Sequence, residues 1–159
     1  MRNISVVILA ITCLPLNAAK LPTTISLKYL SPEVSTKAAT AAMKECVKRG
    51  YKVSVSVVGR SGNLLAFTRN PLSGPHTVLV SQRKAFSAAT FQTSTWSLRN
   101  RKDLANAPGI LLIRGGLPIQ VGGKFYGGIA VAGADPKIDE ACAKAGVEAI
   151  RDAIEFGTT

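Results

Sequence analysis

The chain has 159 residues, 47% of them hydrophobic, and sets 20 Lys and Arg against only 9 Asp and Glu, for a formal net charge of +11. One histidine, three cysteines and so few acids leave no cluster of four ligands for a structural or catalytic zinc. The length suits one ordinary domain with one core.

Residues 1–19, "MRNISVVILAITCLPLNAA", place Arg2 before an apolar run from Ile4 to Leu16 and end on the small pair Ala18-Ala19. That order of charge, apolar stretch and small residues is a secretory signal peptide. The mature chain is therefore expected to start near Lys20, to occupy residues 20–159 as a single domain, and to be exported, either periplasmic or secreted. The apolar run is shorter than the roughly 20 residues needed to span a bilayer, and no later stretch of the sequence is long enough either. Cys13 sits in a poor lipoprotein box, with Ala10 where leucine is usual.

Losing Arg2 lowers the charge of +11 by one, so the mature chain stays strongly basic. Such a charge favours anionic partners. Nucleic acid is disfavoured, because the chain is exported and its basic residues are scattered. "RNRK" (residues 99–102) is the densest run, and aromatics interleave with it only sparsely. A solvated basic surface is the ordinary meaning of this charge, and a small carboxylate-bearing ligand, such as haem with its two propionates, also suits it. Cys46 and Cys142 survive processing, and an even count in an oxidising compartment suggests a disulfide. Two buried free thiols are the alternative.

Ser31-Pro32-Glu33 opens a helix, with Ser31 as N-cap, Pro32 at the first helical position and Glu33 at the positive end of the dipole. The helix runs to Gly50, which readily takes the left-handed cap conformation. Val34, Ala38, Ala41, Ala42 and Val47, with Cys46 beside them, mark its expected buried side. In "YKVSVSVVG", Val53, Val55 and Val57 alternate with Ser54 and Ser56, the period of a strand. "RSGN" turns, and "LLAFT" returns as the second strand of a hairpin. After the loop "RNPLSGP", a helix starting at His76 or Thr77 runs through "VLVSQRKAFSAATF" and is expected to bury Leu79, Phe86 and Ala89.

"TSTWSLRNRKDLANAP" reads as a second, shorter helical region ending at Pro108. "GILLI", "LPIQV" and "FYGGIAVAG" read as three strands separated by "RGG" and "GGK" turns. Asp135-Pro136 starts a last helix whose apolar face holds Ile138, Ala141, Cys142, Ala145, Ala149, Ile150, Ala153 and Ile154. The order α-ββ-α-α-βββ-α, with hairpins in place of βαβ alternation, predicts an α+β fold with an antiparallel sheet of about five strands flanked by helices.

Hydrolase signatures are absent: there is no G-x-S-x-G elbow, no H-E-x-x-H and no Walker loop. A tight hairpin explains "GGKFYGG" better than a phosphate loop, because no helix follows its glycines. A catalytic triad needs a carboxylate to orient His76, and none lies nearby in the sequence. These features favour a binding protein over an enzyme. What remains is His76 in "SGPHTV", then Arg83 and Lys84 on the helix it opens, and the turn at Gly115-Gly116. The glycines either admit a flat ligand close to backbone or simply turn the chain. His76 is either an exposed helix-start residue or a nitrogen ligand.

"YKVSVSVVGRSGNLLAF", "SGPHT", "RKAFSAATF", "GGLPIQVGGKFYGGIAVAGA" and "DEACAKAG" together resemble the haem-binding, haem-degrading-type family, over nearly the whole mature chain. That family includes glycolate-utilisation accessory proteins and the C-terminal domains of some corrinoid adenosyltransferases. The resemblance implies a profilin-like antiparallel sheet flanked by helices, homo-oligomers that are often octamers, and haem as cofactor in some members. One departure is Gly59, in "VVGRSG", where many members carry an aspartate.

Three functions are compatible with these features. The first is an exported module for haem or a related tetrapyrrole, with His76 as the favoured axial ligand, Arg83 or Lys84 near the propionates, and Gly115 and Gly116 at the ligand. The second is an accessory or structural oligomer without a tetrapyrrole. The third is an oxidative haem-degrading enzyme, in which the porphyrin supplies the redox chemistry. The family fold also implies that the first and last helices pack antiparallel on one sheet face, which would bring Cys46 and Cys142 together.

Overall fold

A computed structural model describes residues 22–157. The expected signal peptide and its cleavage site lie outside the described residues. Helix α1 (Pro32–Lys48) begins where Ser31 Oγ accepts the Val34 N–H at 3.3 Å. It ends at Gly50, φ +85°, where the Gly50 and Tyr51 N–H groups bond back to the Val47 and Cys46 carbonyls at 2.9 and 3.0 Å. This is the left-handed closure that glycine makes at least cost.

Strands β1 (Ser54–Gly59) and β2 (Leu64–Arg69) form the expected hairpin, and helix α2 (Thr77–Phe91) follows. After a short 3-10 turn (Lys102–Asn106) come β3 (Gly116–Val121) and β4 (Lys124–Ala132), then helices α3 (Pro136–Glu148) and α4 (Arg151–Phe156). The strands form one antiparallel sheet in the order β2-β1-β4-β3. The fold is the α+β architecture read from the sequence, with helices on both faces of the sheet.

Three elements differ from expectation. "GILLI" joins no strand, so the described sheet has four strands. Side chains of α2 bond part of its backbone instead. Arg83 Nη2 donates to the Ile110 carbonyl at 2.8 Å, and Ser87 Oγ accepts the Leu111 N–H at 2.7 Å. The region before Pro108 is mostly turns rather than a helix. The last helix breaks after Glu148, where Ile150 leaves the helical path (φ −111°) and places a fully buried side chain in the core.

The sheet has two unlike faces. Val53, Val55, Val57, Ile119, Ile129 and Val131 build the main core against the alanine-rich sides of α1 and α3. Cys46 points into this core and Val47 out of it, 49% exposed, against the expectation for Val47. Helices α1 and α3 run antiparallel. A Cβ on Gly146 would lie 2.7 Å from the Ala38 carbonyl oxygen, while Cys142 meets Cys46 with Cα atoms 5.6 Å apart.

The other face is small and polar, and α2 lies close upon it. Ser54 shares a hydrogen bond with Thr77 and Ser56 with Ser81, each at 2.8 Å. A Cβ on Gly128 would sit 2.4 Å from the Ala85 carbonyl oxygen. A floor this tight accepts only small residues, so α2 turns Thr77, Ser81, Ala85 and Ala89 inward. Leu79 is consequently 59% exposed and Phe86 half-buried, and of the three expected apolar contacts only Ala89 is fully buried.

Candidate ligand-binding face

Because α2 buries its small side, its outward side carries the large residues. His76 occupies the N-cap position of α2, exposed, in αR conformation and with no capping hydrogen bond from its side chain. Its ring lies over Gly74, where a Cβ would come within 2.7 Å of Cε1. Both ring nitrogens are therefore uncommitted to the helix. Arg83 stands seven residues on, hence on the same face about 10 Å along the axis, with Leu79 between them.

Beside this stripe runs a groove of about 230 Å³, lined by Gly62, Leu64, Leu79, Arg83, Phe86 and Gly109 among others. The Phe86 ring fills the space left by two glycines. A Cβ would lie 2.5 Å from it at Gly62 and 3.4 Å at Gly109, and both glycines have positive φ. The bond from Arg83 to Ile110 anchors the guanidinium at the groove. The apolar surface continues over β2. Leu64 and Phe67 pair with Val58 and Ser56 and share their face, but α2 packs on β1, β4 and β3, leaving the two 48% and 38% exposed.

The other predicted ligand residues are brought together elsewhere, inside the protein. Lys84 is 1% exposed, and its Nζ lies 3.0 Å from Asp139 Oδ2 on α3. Asp139 Oδ1 accepts the Ala134 N–H at 3.1 Å. Gly115, φ +116°, gives this pair room, since a Cβ there would be 2.6 Å from Nζ. Gly116 likewise faces the Lys84 carbonyl oxygen, 2.6 Å from a would-be Cβ. Lys84, Gly115 and Gly116 thus form a packed junction of α2, β3 and α3 and present no surface to a ligand. The sequence reading that placed them at a propionate or a flat ligand face is corrected here, because the ammonium is sealed against an acid that the sequence did not pair with it.

Burial pushes the Lys84 ammonium below its ordinary value, opposed by the Asp139 charge, and pushes the Asp139 carboxyl up, opposed by Lys84. Sequence reasoning missed Asp139, one turn into a helix and legible only as a helix-start acid.

The densest basic run is held locally. Arg101 pairs with Asp103 at 2.6 Å, and Arg99 stacks over Trp96 at 4.5 Å. Arg114 covers the same ring at 5.2 Å while bonding Glu140. Among the described residues, no three His, Cys, Asp or Glu side chains converge to hold a metal ion.

Residues 30–148 match the family described as haem degrading protein HbpS-like. The chain is 29% identical over 108 residues to Protein GlcG of Escherichia coli (strain K12), covering 65% of this chain and 81% of that protein. The crystal structure of a double mutant of Streptomyces reticuli HbpS superposes with a TM-score of 0.76 at 37% identity, covering 82% of this chain and 93% of that one. The PduOC:heme complex shares the fold at 21% identity and a TM-score of 0.72, covering 77% of this chain and 96% of that one. Antiparallel sheet, flanking helices and matched sequence agree: the chain belongs to the haem-degrading HbpS-like family.

Proposed function

We propose that this is an exported, homo-oligomeric protein that binds haem or a related tetrapyrrole on the outward face of α2. The observation that carries the reading is the alignment of an uncapped, exposed His76, an apolar groove and Arg83 along one helix face. The family description and the heme held by the structural neighbour PduOC support it. Bound haem would supply redox chemistry. His76 offers an imidazole nitrogen for iron, Leu64 and Leu79 offer apolar contact for the ring, and Arg83 offers a cation for a propionate.

Titration with haemin tests this. A Soret band should develop with the mature protein, and His76→Ala should shift the band and weaken binding at least tenfold, about 1.4 kcal/mol. Identical spectra and affinities for the two proteins would remove His76 from the site. Bleaching of the band under a reductant, faster than for free haemin, would move the reading from binder to haem-degrading enzyme.

Oligomerisation is supported by the edges of the sheet. Edge strand β3 carries Pro118, which blunts pairing, whereas "LLAFTR" in β2 has no proline or lysine. The Asn70 N–H bonds the Val53 carbonyl, so in the same register Phe67 turns its N–H and C=O away from β1. Pairing of two β2 edges would cover Leu64 and Phe67 and give a flat ligand on α2 a second wall. Light scattering at micromolar concentration should give a mass above the monomer, and Phe67→Pro should lower it while circular dichroism stays unchanged. A wild-type monomer would overturn the proposal. Export rests on residues 1–19. The intact mass of protein collected outside the cytoplasm should lack them, and a full-length cytoplasmic product would contradict the reading.

A further inference from the structure

A larger cleft, about 420 Å³, opens on the face of the sheet opposite α2. Strand β4, which contributes Tyr126 to it, carries a bulge. The β3–β4 register shifts between Ile119 and Gln120, and at Gly127, φ +149°, a Cβ would collide with the Val58 carbonyl oxygen. The bulge turns Tyr126 into the main core, where it forms the floor of the cleft. Val34 of α1, Ile154 of α4, and Tyr29 and Leu30 of the segment entering α1 form the walls.

Tyr126 is only 7% exposed, yet its hydroxyl makes no hydrogen bond among the described residues. A buried phenol ordinarily finds a partner. Lys28 is the one charged side chain of the lining, no carboxylate faces it there, and it enters no ion pair among the described residues. The volume lies within the roughly 300–1,000 Å³ range of small-molecule sites.

We propose that this cleft binds a small monocarboxylate with an apolar body. The hydrocarbon part lies against Val34, Leu30 and Ile154, and the carboxylate accepts from the Tyr126 hydroxyl and faces the Lys28 ammonium. The sheet separates this site from the α2 face, so the proposal is independent of haem.

Calorimetric titration of the mature protein with octanoate, with octan-1-ol as the neutral comparator, tests it. One octanoate per chain should bind, at least tenfold more tightly than the alcohol. Tyr126→Phe and Lys28→Gln should each weaken it about tenfold, and Ile154→Trp should abolish it by filling the cleft. Leu79→Glu, on the haem face, should leave it unchanged, and thermal unfolding should show every variant folded. Equal affinity for octanol, no heat at millimolar octanoate, retained binding in Ile154→Trp, or loss in Leu79→Glu would each overturn the assignment.

Discussion

Replacing Cys46 and Cys142 together by alanine is expected to lower the unfolding free energy by about 4–5 kcal/mol. The cysteines are 96 residues apart, so a bond between them closes most of the described chain into one loop and removes much of the freedom of the unfolded state. Their Cα atoms, 5.6 Å apart, lie within the span of a disulfide without backbone movement. Both are fully buried between alanine-rich helices, so alanine at these positions disturbs the packing little. Natural domains hold only about 5–15 kcal/mol in total, so the variant should approach unfolding at physiological temperature. Urea unfolding of oxidised wild type, the double variant and reduced wild type measures this, and the last two should agree. Reactive thiols at Cys46 and Cys142 in the denatured, unreduced protein would show that the bond does not form.

Breaking the Lys84–Asp139 pair from one side should cost about 3–5 kcal/mol, because the survivor is left as an uncompensated buried charge. Lys84→Met strands the carboxylate and Asp139→Asn strands the ammonium. The double variant Lys84→Met/Asp139→Asn strands neither and keeps an oxygen for the Ala134 N–H, so it should recover most of the loss. The two single variants should respond to pH in opposite directions. Burial raises the folded value of Asp139, so its stabilising contribution is full below its unfolded value near 3.8 and is lost as pH rises through the folded value. Lys84→Met removes the cation that opposed this rise, and its deficit relative to wild type should therefore narrow on acidification. Burial depresses the folded value of Lys84, so stability rises with pH between that value and 10.5. The deficit of Asp139→Asn should accordingly narrow on the alkaline side. Urea unfolding across the pH range checks both. Single-variant costs below about 1 kcal/mol, or deficits that do not change with pH, would contradict the role assigned to the pair.

Local chemistry determined much of this protein in the sequence itself. The Ser31 cap, Pro32 and Gly50 bound α1 because a helix end needs partners for its open N–H and C=O groups wherever it sits. The Val/Ser alternation of residues 53–57 fixed a two-faced strand, and the turn residues of "RSGN" and "GGK" fixed both hairpins. His76 was legible as an accessible helix-start residue for the same local reason.

Tertiary structure alone decided which surface met each face. Periodicity shows that α2 has an apolar stripe through Leu79 and Phe86, but it cannot show that the floor beneath is Ser54, Ser56 and Gly128, too shallow for either. Nor can it show that "GILLI" finds its partners on Arg83 and Ser87 rather than on a strand. Lys84 and Asp139 lie 55 residues apart, and the Tyr126 floor depends on a bulge that Gly127 permits. Such pairings carry no sequence signal because their energy comes from desolvation and close approach between distant segments. Those terms take a value only once the chain has folded.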